Sequence, residues 1–156
     1  MNNKNKIKIS IIGLGYVGLP LALEFSKYYS VVGFDIDKDR VKDLKKNIDK
    51  TREVKKTTLF KNKSISLTSD WKKIKKSDYF IITVPTPVNK KNEPNLDSLL
   101  QASKIVGQCI EKKNIVVVES TVYPGVTENV VVPHIEKQAK LKWKKDFNIA
   151  YSPERI

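Results

Sequence analysis

The sequence predicts an α/β domain built on a doubly wound parallel sheet. Three observations carry this. Apolar runs of strand length recur along the 156 residues and alternate with segments of helical spacing. The centres of "DYFIITVP" and "NIVVVEST" are continuously apolar, as strands buried on both faces must be. Glycines, acids, hydroxyls and prolines gather directly after the strands, the edge at which open parallel sheets bind ligands.

The first strand is Ile7–Ile12. The stretch from Ile9 to Phe25 is apolar and follows a basic start, as a secretory signal or membrane anchor would. Three glycines, Pro20 and Glu24 interrupt it, and a second strand, Val31–Phe34, follows within a few residues. It is also too short for a membrane span. Strand, glycine turn, helix (Tyr16–Lys27) and strand make a βαβ unit. Gly13, Gly15 and Gly18 are spaced G-x-G-x-x-G. In that setting Gly13 permits the tight turn, Gly15 lets the backbone approach a pyrophosphate, and Gly18 lets the helix pack on the sheet. The helix N-terminus offers free N–H groups and a positive dipole end to the anion. Pro20 lies early in the helix, where amide donors lack partners anyway. Asp35 ends the second strand, 17 residues beyond Gly18. It is placed to accept hydrogen bonds from an adenosine ribose, and its charge opposes a 2′-phosphate, so the expected cofactor is NAD and not NADP. The unit therefore reads as a Rossmann-type dinucleotide-binding fold. The alternative is a glycine-rich packing turn without a ligand.

The remaining elements follow in order. Asn47 to Lys63 has no clear period and reads as a loop or irregular helix. "SISLT" (64–68) is a short strand, and 78–85 is a buried one. Leu96–Lys112 has helical spacing, and 114–121 is another buried strand. Gly125–Gln138 reads as a helix that Pro133 kinks or ends. The segment 147–154 is a last strand leading into a loop. The loops "PTPVN" (85–89), "STVYPG" (120–125) and "SPER" (152–155) all fall on the ligand edge.

Composition narrows the function classes. The formal net charge is 30 − 17 = +13, but 27 of the 30 basic residues are lysine. Arginine is the better reader of phosphates and bases. The runs "KKIKK" (72–76) and "KLKWKK" (140–145) read as helix ends or solvated faces, so neither nucleic acid nor membrane is expected as a partner. Cys109 is the single cysteine. It excludes an internal disulfide, fits a reducing cytoplasm, and reads as a buried core thiol. His134 is also single and has no cluster around it, so no metal site is expected.

The elements "GLGYVGLPLA", "GFDID", "VPTP", "STVYPG" and "SPER" stand in this order. With them the chain resembles the nucleotide-sugar 6-dehydrogenases, the UDP-glucose/GDP-mannose dehydrogenase family, over essentially its whole length as the N-terminal domain. "ESTVYPG" and Arg155 after Glu154 make it most similar to enzymes of polysaccharide biosynthesis that oxidise UDP-N-acetylhexosamines. The resemblance implies a two-step oxidation of the sugar C6 alcohol to the carboxylate, with two NAD⁺ reduced. A UDP-glucose 6-dehydrogenase or a non-catalytic NAD-sensing domain is the alternative.

The same resemblance gives Gly13, Gly15, Tyr16, Val17 and Gly18 to the pyrophosphate, Asp35 to the adenosine ribose, and Arg40 to the ribose or adenine. Thr86 and Thr121 would line the cofactor path. Thr121 would also order a catalytic water. Glu154 would approach the reacting centre, binding cofactor or assisting hydrolysis; the alternative is a solvated loop acid. The family's nucleophilic cysteine and its lysine have no counterpart here, and Cys109 matches no family catalytic position. Residues 1–156 are therefore expected to be the NAD-binding domain of a longer, dimeric cytoplasmic enzyme. A central helix and a UDP-sugar-binding domain would lie beyond it.

Overall fold

A computed structural model describes residues 7–54, 65–88 and 93–153. Six strands form one parallel sheet in the order β3-β2-β1-β4-β5-β6. They are β1 (Lys8–Ile12), β2 (Ser30–Phe34), β3 (Ile65–Thr68), β4 (Tyr79–Ile82), β5 (Ile115–Val118) and β6 (Asn148–Tyr151). Strand order reverses between β1 and β4, which pair in register from Ile9↔Tyr79 to Ile12↔Ile82. A reversal of this kind opens a crevice beyond the strand C-termini. The expected doubly wound sheet is the one found.

The helices are α1 (Gly18–Phe25), α2 (Lys38–Lys45), α3 (Asp97–Gly107) and α4 (Val132–Ala139). The central strands β1, β2 and β4 bury both faces. Ile9 and Ile11 join Leu19, Leu23 and Leu44 beneath α1 and α2. Ile12, Ile82 and Val118 join Leu99, Val106 and Ile135 beneath α3 and α4. Ile11 and Ile12 are 0% and 1% exposed on opposite faces, so β1 is the centre of both cores.

Several element bounds differ from the sequence reading. Tyr16 and Val17 are in the turn before α1, not in the helix. Helix α2 lies in a segment for which no helix is expected. Its sequence "KDRVKDLK" shows only Val41 and Leu44 to the core, and its start is set by Asp37, whose carboxylate accepts from Asp39 N (2.8 Å) and Arg40 N (3.2 Å). The "KKIKK" run lies in and after a 3₁₀ turn, Trp71–Ile74, capped by Asp70. Pro133 does not end its helix; it stands in the first turn of α4. A π turn at Thr127–Val131 precedes it, and α4 continues to Ala139. Proline has no N–H to donate and crowds the carbonyl four residues back, and the wider turn relieves both. Among the described residues no helix is long and apolar enough to cross a membrane.

Candidate functional site

The site is built on the turn between β1 and α1. Gly13 has φ +99°, a conformation that side chains other than glycine rarely adopt. Its N–H donates to Phe34 O at 2.8 Å, and its carbonyl accepts from Thr83 Oγ1 at 2.8 Å. Thr83 directly follows β4 and is buried. It thus ties the two strands at the point of reversal. Gly18 starts α1 against the same groups. A Cβ there would stand 1.9 Å from Gly13 O and 2.4 Å from Thr83 Oγ1. Gly15 is the opposite case: a Cβ there would meet nothing within 4 Å. No side chain caps the first turn of α1, which Val17 precedes. The turn is therefore rigid below, open above, and carries a helix N-terminus with its positive dipole end.

Leu14, between Gly13 and Gly15, is held at both its N–H and its carbonyl. Leu14 N donates to Asp35 Oδ2 at 2.8 Å. Leu14 O accepts from Arg40 Nε at 2.9 Å. Asp35 also accepts from Asp37 N through Oδ1 at 2.9 Å, which links the end of β2 to the cap of α2. Each carboxylate oxygen keeps a further lone pair for a ligand. Asp49 lies behind Arg40, with Asp49 Oδ1 2.8 Å from Arg40 Nη2. Burial works to raise the Asp49 carboxyl pKa, but hydrogen bonds from Thr51, Arg40 and Val54 outweigh it and hold it below the ordinary value.

Two cavities meet over Gly15. One, of about 300 Å³, is walled by Gly13, Asp35 and Ile36 on one side and by Ser98, Gln101 and Ile105 of α3 on the other. The second, of about 590 Å³, is walled by Tyr16, Val17, Thr86, Pro87, Glu119 and Thr121. Gly15, Thr83, Val84 and Pro85 belong to both. The loops around the second cavity are tied to one another. Thr86 Oγ1 donates to Thr121 O, Ser120 Oγ to Val84 O at 2.6 Å, and Tyr151 OH to Val122 O at 3.3 Å.

The structure thus brings Gly13, Gly15, Tyr16, Val17, Asp35, Thr86 and Thr121 to one crevice, while Gly18 lines neither cavity and packs against Gly13 and Thr83. Arg40 stands beside the turn but is not part of either wall. Glu154 and Arg155 lie outside the described residues. Thr83, Ile36, Ser98, Gln101 and Ile105 were not expected. Thr83 was legible as the hydroxyl ending an apolar run. The α3 residues reach the crevice only because that helix crosses back over the sheet. Cys109 is 4% exposed, its thiol faces Trp71 O at 3.7 Å, and burial pushes its pKa up to about 11. It belongs to the core and carries no thiolate near neutrality.

A dinucleotide fits this geometry. The open space over Gly15 suits a pyrophosphate, and the two flanking cavities suit its two nucleoside ends. The comparisons agree. Residues 7–156 match the family model described as UDP-glucose/GDP-mannose dehydrogenase family, NAD binding domain. The chain is 52% identical over 148 residues to Protein CapL of Staphylococcus aureus, covering 95% of this chain and 35% of that protein. It is 47% identical over 152 residues to UDP-N-acetyl-D-glucosamine 6-dehydrogenase of Salmonella typhi, covering 97% and 36%. The solved structure of UDP-D-ManNAc dehydrogenase from Pyrococcus horikoshii superposes with a TM-score of 0.85 at 31% identity, over 96% of this chain and 37% of that one. The chain spans about a third of the length of these relatives. A match to the family model over nearly all its residues, on a fold and crevice of the right kind, shows that the chain belongs to the UDP-glucose/GDP-mannose dehydrogenase family and carries its NAD-binding domain.

Proposed function

We propose that this domain serves an enzyme that oxidises the C6 alcohol of a UDP-N-acetylhexosamine to the carboxylate, using two NAD⁺. The observation that carries the reading is the pair of cavities joined over Gly15 and anchored by Asp35. The ADP half would lie between Asp35, Ile36 and α3, with the ribose hydroxyls on Asp35. The pyrophosphate would lie over Gly15 and receive the amides of the turn and of the α1 N-terminus. The nicotinamide half would enter the cavity between Tyr16, Thr86 and Thr121. When bound, NAD⁺ supplies the hydride acceptor. The chain's own part is to bind and orient it. The Thr86–Thr121 tie fixes the floor against which the sugar would be presented. Thr121 would also hold a water there, and Glu154 would approach the same centre.

The N-acetyl preference is supported by 47% identity to the Salmonella typhi relative, a UDP-N-acetyl-D-glucosamine 6-dehydrogenase. On this reading, residues 1–156 are the cofactor domain of a longer, dimeric cytoplasmic polypeptide. Its further two thirds would supply the cysteine and lysine of the second step and the sugar-binding domain. The test is to express that longer polypeptide and follow NADH with UDP-N-acetylglucosamine, UDP-N-acetylgalactosamine, UDP-N-acetylmannosamine and UDP-glucose. The expected result is two NADH per sugar with an N-acetylated substrate preferred. Preference for UDP-glucose would overturn the sugar assignment, and no NADH from any of them would overturn the activity.

A further inference from the structure

The lysine runs stand far apart in the sequence, and singly they give no reason to expect a membrane. The fold gathers them on one edge. "KKIKK" (72–76) leads into β4, Lys112 and Lys113 into β5, and "KLKWKK" (140–145) into β6. These strands are neighbours in a parallel sheet, so their starts lie side by side, opposite the crevice. Backbone bonds knit the loops together: Ile115 N donates to Asp78 O at 3.1 Å and Lys113 N to Asp146 O at 2.6 Å. All the lysines of these runs are exposed. Among the described residues only Lys112 and Lys142 of this set have carboxylate partners, Asp146 at 3.5 Å and Glu136 at 3.2 Å. The loops that wall the crevice (13–17, 35–37, 83–88 and 119–125) carry no lysine, so the charge is one-sided.

The backbone argues for more than solvation. Six non-glycine residues among those described have positive φ, and four are lysines of this edge: Lys76 (65°), Lys113 (72°), Lys140 (55°) and Lys144 (65°). Glycine, asparagine and aspartate take that conformation most readily, and a long side chain strains it. Lysine thus stands at four turns that a smaller residue would make more easily, which points to its charge as what these positions supply. Two half-buried indoles share the loops. Lys75 Nζ lies 5.1 Å from the centre of the Trp71 ring, and Lys144 Nζ lies 4.4 Å from that of Trp143. Tryptophan and lysine stems together suit a membrane–water interface. Lysine throughout, with no arginine, suits a diffuse negative surface better than the bidentate reading of nucleic acid. We propose that the edge where β4, β5 and β6 begin is a docking face for an anionic phospholipid surface, which holds the domain peripherally with its crevice turned away from the lipid.

The experiment sediments the purified chain with phosphatidylcholine vesicles, with and without phosphatidylglycerol. Binding should require the anionic lipid and weaken at least about tenfold between about 0.1 M and about 0.5 M salt. Lys76→Asn, Lys113→Asn, Lys140→Asn and Lys144→Asn are then combined. Asparagine relieves the backbone, so the unfolding midpoint should hold or rise, while affinity for anionic vesicles should fall at least about tenfold. Lys38→Gln, Lys42→Gln, Lys45→Gln and Lys46→Gln, on and after α2, remove the same charge elsewhere and should cost less than about threefold. Lys72→Gln, Lys73→Gln and Lys145→Gln, away from the left-handed positions, should weaken vesicle binding even if the asparagine variant is unstable. Equal losses from the edge and α2 variants would reduce the effect to net charge and overturn the docking face. Unchanged vesicle binding by a folded edge variant would do the same. A wild-type chain that ignores anionic vesicles, or binds short duplex DNA more tightly than those vesicles at the same salt, overturns the lipid surface as partner.

Discussion

Gly15→Val separates a ligand cradle from a packing turn. At Gly15 a new Cβ meets nothing within 4 Å, and the backbone φ lies outside the left-handed region. The valine side chain would therefore strain neither core nor backbone, and stability should stay within about 0.5 kcal/mol of wild type. The added methyl groups would enter the space shared by both cavities, where the pyrophosphate must approach the amides. The loss of NAD⁺ affinity should be at least about tenfold, or roughly 1.4 kcal/mol. The assay pairs calorimetric NAD⁺ titration with denaturant unfolding followed by circular dichroism. A folded variant with unchanged affinity would refute the cradle. A variant that fails to fold would refute the claim that the space above Gly15 is open.

Gly18→Ala should do the reverse. Its Cβ would lie 1.9 Å from Gly13 O, so α1 must shift, and unfolding should cost less by about 1–3 kcal/mol in a denaturant titration. Cys109, with a pKa near 11, should resist alkylation by iodoacetamide at pH 8 in the native chain and react rapidly once unfolded; fast native labelling would contradict its place in the core. Asp49 has a lowered pKa, so its ionised form favours the fold. Its contribution should be complete above an unfolded value of about 3.9 and vanish as pH falls through the lower folded value. Unfolding free energy of Asp49→Asn should therefore depend less steeply on pH than wild type in that acid range, and an unchanged slope would count against the ion pair.

The long apolar runs were legible because a parallel sheet buries both faces, which leaves a continuous rather than alternating pattern. The glycine turn and Asp35 were legible because their work is local: a positive φ at Gly13, a close approach at Gly18, an acid at a strand end. What escaped was long-range or charged. Helix α2 offers only Val41 and Leu44 among charges, too few apolar positions to show a period. Gln101 and Ser98 wall the crevice through a crossover that periodicity does not describe. In one dimension Asp49 is an ordinary loop acid, and what sets it apart is a partner nine residues earlier on another element. The resemblance puts Thr86 and Thr121 on the cofactor path, but only the structure shows that the Thr86 hydroxyl bonds the Thr121 carbonyl.

The central claim is that the glycine turn of this chain holds a dinucleotide across two cavities. Calorimetric titration of the wild-type chain with NAD⁺, then with ADP-ribose and NADP⁺, tests it most directly. The account predicts saturable binding at one site, competition by ADP-ribose for that site, and weaker binding of NADP⁺. No saturable binding of NAD⁺ by the folded chain, or NAD⁺ binding that ADP-ribose does not displace, would contradict it.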